Sequence, residues 1–298
     1  MTLAVAPEFQ LRVRRDEPMA RHTSWRVGGP ADLFFTPRDR NDLSAFLAKL
    51  PREIPLTWVG LGSNLLVRDG GIRGAVICTH GAFTQLDRRA QQRVYCESGV
   101  PCARLARQCS AWGFGQAEFF AGIPGTLGGA LAMNAGAFGG ETWRYVRGVD
   151  VIARDGSVRT RPATEYQVGY RHVAAPANDE WFLAAELEFP LRDAAASGAV
   201  RALAQRRKET QPLGEWSCGS VFTNPPGDHA ARLIEAAGLK GLRIGGAVVS
   251  EKHANFILNE GSATAADLEQ LIAHVRDTVL RVHGVRLVAE VRVVGERL

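Results

Sequence analysis

The sequence predicts an α+β chain. Its first two-thirds string short strand-like segments between turn signals, with only brief helical runs. Its C-terminal part carries the longest amphipathic helix. The one glycine loop that opens like a dinucleotide-binding turn leads into a strand instead of a helix, so a doubly wound parallel sheet is not supported.

The elements follow in order. In Thr23–Thr36, Gly28, Gly29 and Pro30 mark a turn and Ala31–Thr36 reads as a strand. Asp39 to Leu50 has helical spacing, with Leu43, Phe46, Leu47 and Leu50 on one face. Leu56–Val59 is a short apolar strand. Gly60-Leu61-Gly62 follows, but Leu65 stands where a third glycine would be, and only Asn64–Val67 precede the break at Asp69-Gly70-Gly71. Arg93–Ser98 reads as a strand, and Pro101 opens a helix running to Trp112. Val146–Ala153 and Val158–Arg161 flank Asp155-Gly156, a hairpin signal. Trp181–Phe189 is a further strand. The composition shift at Pro190–Gly198 marks a boundary. Ala199–Glu209 and His229–Ala237 read as helices, the second with Asp228 as N-cap and Gly238 as its stop. In Thr264–His283 the residues Leu268, Leu271, Ile272, Val275, Val279 and Val282 form one apolar stripe, ended by Gly284. A last strand, Val285–Val294, alternates with Val285, Leu287, Ala289, Val291 and Val293 on one face.

Composition narrows the function classes. The 298 residues are enough for two or three domains, and 46% hydrophobic with 22% charged residues is ordinary for a soluble globular chain. No run approaches the ~20 apolar residues of a membrane span, and the first residues lack the basic region of a signal peptide. The five cysteines are odd in number and form no CxxC pair, which argues against a disulfide framework and a structural zinc site. A reducing cytoplasm is the expected compartment. The net charge of +5 suits small anionic ligands, and the aromatic-interleaved basic stretch of a nucleic-acid binder is missing.

The most informative stretch is Gly122–Gly140, GIPGTLGGALAMNAGAFGG, with seven glycines, four alanines and one proline. A helix or strand of this composition is weak, because each interior Gly costs about 1 kcal/mol against Ala. Such a run is suited to bringing bare backbone N–H groups close to an anionic group, and a nucleotide cofactor is the natural candidate. A flexible linker is the alternative, but Ile123, Leu127, Leu131, Met133 and Phe138 call for burial. The Gly60–Gly62 loop reads either as a second phosphate cradle, with Ser63 and Asn64 adding donors, or as a plain hairpin.

Four further residues stand out, each with two readings. Glu290, facing away from the apolar row beside Val288 and Arg292, is either an exposed edge residue or a deliberately buried carboxylate. Ser220 has no G-x-S-x-G context, so it is a turn serine or a proton donor, not a hydrolase nucleophile. Arg171 is a packed surface stem or a bidentate grip on an anion. His253 reads as a structural histidine; with no second ligand at suitable spacing, no metal is expected.

Seven segments in order carry a resemblance: HTSWRVGGPADLF from His22, GLGSNLLVRDGG from Gly60, GIPGTLGGALAMNAGAFGGE from Gly122, GYRHV from Gly169, CGSVFTNP from Cys218, AGLKGLRIGGAVVSEKHANFILN from Ala237 and EVRVVG from Glu290. With them the chain resembles the UDP-N-acetylenolpyruvoylglucosamine reductase (MurB) family of bacterial peptidoglycan synthesis, in its shorter subclass. The resemblance implies an FAD-binding fold of the PCMH/vanillyl-alcohol-oxidase type. Two α+β subdomains, 1–81 and 82–192, would hold FAD, and a C-terminal α+β domain, 193–298, would hold substrate, with the last strand free to return to the cleft. It implies that NADPH reduces the flavin and that UDP-N-acetylglucosamine enolpyruvate is then reduced to UDP-N-acetylmuramate. Covalently bound flavin would instead favour a flavin oxidase on a related fold, and a protein without flavin would favour a non-catalytic nucleotide or nucleic-acid binder.

Residue by residue, the resemblance makes Ser220 the proton donor and makes Arg171 and Glu290 the stabilisers of an enolate-like intermediate. FAD contacts fall to Gly60, Gly62, Ser63, Asn64, Leu65, Gly122, Gly125, Thr126, Gly128, Gly129, Ala132 and Asn134. Substrate contacts fall to Tyr170, Arg207, Lys208, Asn224, Lys252 and His253. Two departures stand out. Thr223 replaces the family's usual lysine, so Arg207, Lys208 or Lys252 would have to supply the cation, and Val288-Ala289-Glu290 retains only the second acid of the usual Glu-Pro-Glu. A monomer acting on a small molecule, without nucleic acid or membrane, is expected.

Overall fold

The computed structural model describes residues 3–90, 92–192 and 199–298. The chain divides into two units. The first comprises Met1–Arg14, Leu33–Gly60 and Gly74–Arg206, and the second Arg15–Asp32, Leu61–Arg73 and Arg207–Leu298. The boundary expected at Pro190–Gly198 falls largely on residues 193–198, outside the described residues.

In the first unit, α1 (Arg40–Lys49) starts where the Asp39 side chain accepts from the Asp42 N–H. It buries Leu43, Phe46 and Leu47 against Phe9, Leu33, Phe35 and Ile77, with the Phe35 and Phe46 rings stacked at 4.0 Å. Beside it, Ala75–Cys78 of the strand Ile72–Cys78 pairs in parallel with Leu56–Val59, Leu56 lying opposite Ala75.

A second, all-antiparallel sheet is ordered Val158–Pro162, Val146–Ala153, Glu180–Glu188, Arg93–Glu97, Leu86–Arg88. Its inward residues Val94, Cys96, Val149 and Leu187 share a core with α2 (Cys102–Ala111) and α3 (Leu127–Met133). The Asp155-Gly156 turn forms as expected, with Gly156 at φ +85° and the Ser157 N–H on the Asp155 carboxylate at 2.9 Å. The five cysteines are all buried free thiols, and burial pushes Cys102 and Cys109 up to about 12, so they serve as small apolar residues. α4 (Ala199–Thr210) runs across the division at Arg206 and Arg207.

The second unit packs α5 (Ala230–Ala236) and α6 (Ala265–His283) on a small sheet of Arg243–Ile244, Ala247–Val249 and Ile257–Asn259. A reciprocal capping box between Thr264 and Asp267 starts α6, and Gly284 at φ +67° ends it. The Asp69 carboxylate also accepts the Ala265 and Ala266 N–H groups, each at 3.0 Å. The stripe Leu268, Leu271, Ile272, Val275 and Val279 is buried, but Val282 is 47% exposed; the last turn has run past the core.

Three expectations need correction. The glycine-rich stretch contains the seven-residue helix α3, supported by its Leu127, Ala130 and Leu131 contacts in spite of its weak propensity. The N-cap of α5 is His229, whose own N–H is bonded by Asp228, while the Asn224 side-chain oxygen accepts the Ala230 N–H at 3.1 Å. Val285–Val294 is not one strand. Residues around Ala289 form a single antiparallel bridge with Phe222, and only Arg292–Val294 forms a strand, parallel to Leu65–Val67. The run changes partner midway, and apolar alternation carries no mark of such a change.

Candidate active site

In the first unit, Gly60 and the Gly122–Gly140 stretch meet. A Cβ on Gly60 would lie 2.4 Å from Thr126 Oγ1, and one on Gly128 2.9 Å from Ser98 Cβ. A Cβ on Gly129 would meet nothing within 4 Å. The Leu127 and Gly128 N–H groups bond the Val100 and Ser98 carbonyls. The hydroxyls of Ser98 and Thr126 are buried, with no partner among the described residues. An unpartnered buried hydroxyl is costly unless a ligand or water satisfies it. Two such hydroxyls beside side-chain-free backbone fit the polar middle of a dinucleotide such as FAD. Gly122 and Gly125 are packing glycines of the same stretch: Gly122 abuts Ala137 and Phe138, and the Gly125 carbonyl accepts the Cys102 N–H. Ala132 lies in α3.

Asn134, expected to bind cofactor, is engaged otherwise. It ends α3 in the left-handed region at φ +46° and is 1% exposed. Its Nδ2 donates to Glu141 Oε2 at 3.0 Å and to the Gly169 carbonyl at 2.9 Å. Its Oδ1 accepts the Trp143 N–H at 3.1 Å. Both amide hydrogens are therefore used inside the protein.

Arg171 sits at the tip of the hairpin formed by Gln167–Gly169 and His172–Ala174, with φ +54°. Its guanidinium donates to the Asn134 carbonyl at 3.2 Å and the Gly136 carbonyl at 2.8 Å, and lies 4.9 Å from the centre of the 51% exposed Tyr170 ring. Carbonyl acceptors orient a guanidinium through its fixed fork of donors.

The second unit holds the other two expected catalytic residues. Ser220 follows Gly219, at φ +81°, and precedes a clamped pair. The Val221 N–H bonds the Asn255 carbonyl at 2.9 Å. The Asn255 side chain accepts the Phe222 N–H at 3.0 Å and donates to the Phe222 carbonyl at 2.8 Å. On the other side of this segment, the Glu290 N–H donates to the Val221 carbonyl at 2.8 Å and the Thr223 N–H to Val288 at 2.9 Å. Asn64 Nδ2 in turn donates to the Glu290 carbonyl at 3.0 Å, and the Asn64 carbonyl accepts the Arg292 N–H. Ser220 and Glu290 thus ride on neighbouring segments of one network. Burial pushes the Cys218 thiol up, and the Glu290 negative charge adds to the shift.

The remaining expected residues are spread through this unit. Gly62 is a close-approach glycine, at φ +61° with its Cβ position 1.9 Å from the His22 carbonyl, and Ser63 and Asn64 lead into Leu65–Val67. Asn224 caps α5. Lys252 donates from Nζ to the Lys208 backbone carbonyl at 2.6 Å. Arg207 bonds Gln211 at 3.0 Å, and burial lowers its pKa. His253 stands edge-on to Phe256 at 4.7 Å; burial holds its pKa down, and its Nδ1 has no partner among the described residues. Among the described residues no group of three or more His, Cys, Asp or Glu side chains could hold a metal. Asn255 and Glu141 were not anticipated. Asn255 could have been found as the polar residue inside the apolar run Ala254–Ile257.

Comparisons with known proteins first define a class. Residues 31–161 match the family described as "FAD binding domain", so the chain is of the FAD-binding α+β class. Residues 211–294 match "UDP-N-acetylenolpyruvoylglucosamine reductase, C-terminal domain". The UDP-N-acetylenolpyruvoylglucosamine reductase of Alkalilimnicola ehrlichii is 61% identical over 285 residues, 95% of each chain. That of Methylococcus capsulatus is 59% identical over 281 residues, 94% of this chain and 92% of its own. The crystal structure of UDP-N-acetylenolpyruvylglucosamine reductase (MurB) from Thermus caldophilus has a TM-score of 0.80 and 33% identity, covering 95% of this chain and 98% of that one. The chain belongs to the UDP-N-acetylenolpyruvoylglucosamine reductase family. The fold expectation of FAD-binding α+β subdomains with a C-terminal α+β domain is borne out by this match.

Proposed function

We propose that Ser220, Arg171 and Glu290 carry the substrate chemistry of an FAD-dependent reductase. The chain is an FAD-dependent oxidoreductase that uses NADPH to reduce UDP-N-acetylglucosamine enolpyruvate to UDP-N-acetylmuramate, a step in making peptidoglycan precursors. Bound FAD supplies the hydride chemistry, from NADPH to the methylene carbon of the enolpyruvyl group. Ser220 Oγ gives its proton to the adjacent carbon. Glu290, on the segment bonded to that of Ser220, joins Arg171 in stabilising the enolate-like intermediate. Arg171 pairs with the substrate carboxylate, where negative charge grows in the transition state and fixed donors contribute most. Lys208, Lys252 and Arg207 meet the substrate phosphates in place of the lysine absent at Thr223, with Tyr170, Asn224 and His253 lining the sugar nucleotide.

The flavin contacts are assigned to Gly60, Gly122, Gly125, Thr126, Gly128, Gly129 and Ala132, and to Gly62, Ser63, Asn64 and Leu65. In functional terms the chain divides at 1–81, 82–192 and 193–298, although residues 15–32 and 61–73 pack with the C-terminal unit. No helix among the described residues is long and apolar enough to cross a membrane. A cytoplasmic monomer acting on a small molecule, without nucleic acid, fits the reading.

The observation that carries the proposal is the Glu290 N–H to Val221 carbonyl bond at 2.8 Å, which joins the segments bearing Ser220 and Glu290. Stopped-flow half-reactions test it. Ser220→Ala should leave flavin reduction by NADPH within about twofold and slow flavin reoxidation by the enolpyruvyl substrate by a factor of about 10² to 10⁴, the usual range for loss of a general acid. Equal slowing of both halves would remove Ser220 as the proton donor.

A further inference from the structure

We propose that Asn134 is a positioning residue for Arg171, acting through the guanidinium, and not a flavin ligand. The inference rests on the assignment of Arg171 to the substrate. Asn134 controls Arg171 from two directions. Its own backbone carbonyl, with that of Gly136, accepts the guanidinium N–H groups at 3.2 and 2.8 Å. Its side-chain amide grips the Gly169 carbonyl at 2.9 Å, two residues before Arg171 on the hairpin. The same side chain is anchored by the Trp143 N–H and by Glu141.

The left-handed backbone at Asn134 ends α3 and starts the turn that leads to the Gly136 carbonyl. Asn tolerates that region better than other residues with a side chain, because its short amide bonds locally. One residue thus fixes both the carbonyls that receive the guanidinium and the hairpin that delivers it. Arg171 is itself left-handed at φ +54° and stands at the tip of the hairpin. Glu141, 3.0 Å from Asn134 Nδ2, keeps the amide turned so that its nitrogen faces Gly169 and its oxygen faces Trp143. Both donors of Asn134 are used in this way, so none is left for a flavin oxygen.

Two variants separate backbone from side chain. Asn134→Gly keeps the left-handed conformation and removes all three side-chain bonds. Asn134→Asp keeps the acceptor for Trp143 and removes the donors to Gly169 and Glu141. In the FAD-loaded protein each should retain flavin, with unchanged flavin absorbance and NADPH half-reaction within about twofold, and should slow flavin reoxidation by the enolpyruvyl substrate at least about tenfold. Amide hydrogen exchange in residues 167–174 should accelerate in both, including in the flavin-free protein. In an Arg171→Ala background, Asn134→Gly should add less than about twofold, because a residue acting through Arg171 has nothing left to position.

A full tenfold loss repeated in that background would overturn the proposal. So would loss of flavin or of the cooperative unfolding transition in both variants, or unchanged exchange in the hairpin. If Arg171→Ala alone reoxidises at the wild-type rate, the assignment of Arg171 to the substrate fails instead, and the two failures are told apart by that single variant.

Discussion

Replacement of Asn255 by alanine tests whether the Ser220 segment is held by a side chain acting as a neighbouring strand. Phe222 is 2% exposed and Asn255 3% exposed. The N–H and C=O of Phe222 both bond the Asn255 amide, at 3.0 and 2.8 Å. The bridge to Ala289 uses the flanking residues Val221 and Thr223, so it does not satisfy these two groups. Asn255→Ala leaves one buried donor and one buried acceptor unsatisfied, at about 1–3 kcal/mol each. A water entering the small cavity would recover part of this. The net loss is about 2–4 kcal/mol, against a total stability of about 5–15 kcal/mol.

For a chain of this size about 1 kcal/mol corresponds to roughly 2–4 °C, so the melting temperature should fall by roughly 5–15 °C. Scanning calorimetry of the flavin-free and flavin-loaded protein measures it, with urea midpoints as a check. Reoxidation by substrate should slow as well, because Ser220 adjoins the released segment. Asn255→Asp, which keeps the acceptor but brings a buried charge and loses the donor, should be at least as damaging. A melting temperature within about 1 °C of wild type in Asn255→Ala would refute the clamp, since the loss would then be under about 0.5 kcal/mol.

Three further outcomes are expected. Glu290→Gln preserves both backbone bonds of residue 290 and removes only the charge, so reoxidation by substrate should slow while the melting temperature holds; wild-type turnover would make Glu290 a packing residue. Gly60→Ala puts a methyl 2.4 Å from Thr126 Oγ1 and should weaken FAD binding by at least about tenfold, one hydrogen bond's worth, in a fluorescence titration; an unchanged affinity would take this contact out of the cradle. The two hydrogen bonds from Arg68, with a third from Arg297, hold Glu269 down to about 2. A depressed folded pKa gives stability that is complete above the ordinary carboxylate range and is lost as pH falls toward 2, so Glu269→Gln should flatten the acid limb between about pH 5 and 2, and an unchanged slope in pH-dependent unfolding would count against it.

The legible parts of the fold were those with a regular period or a chemical cap. The stripe of α6 and its Thr264 start, the Asp39 start of α1 and the Asp155-Gly156 turn all follow from local rules. So does the strand–loop–strand reading after Gly60, where Leu65–Val67 and Ile72–Cys78 follow the loop with no helix between them. The candidate site was legible only through its ordered motifs. Read singly, Ser220, Arg171 and Glu290 had ordinary structural explanations, because the partners that distinguish them lie far away in sequence. The clamp on the pair after Ser220 comes from Asn255, and the Glu290 N–H bonds the Val221 carbonyl. Val285–Val294 failed as a single strand for the same reason: its partner changes from Phe222 to Leu65–Val67, and both lie well outside the run itself.

Irregular backbone around the candidate residues creates a requirement that ladders and helices normally meet: each buried N–H and C=O needs a partner. Here asparagine side chains meet it repeatedly. Asn255 serves both groups of Phe222, Asn64 serves the Glu290 carbonyl, and Asn134 joins Trp143 to Gly169. Asn259 donates to the Trp25 carbonyl and accepts from Gly261 and Ala263. An amide carries a donor and an acceptor without charge, so it substitutes for one rung of a strand at any angle the loop requires. Aspartate in the same places would lose the donor and bring a buried charge, and alanine would leave the backbone groups open. Reactive side chains can therefore sit on loops and still be held by the core, and the residues that hold them are polar side chains inside apolar runs. Asn255 between Ala254 and Phe256 has that appearance. A search for isolated asparagines in apolar runs, set beside the glycine-rich stretches, would locate the supports of a site that periodicity alone does not reveal.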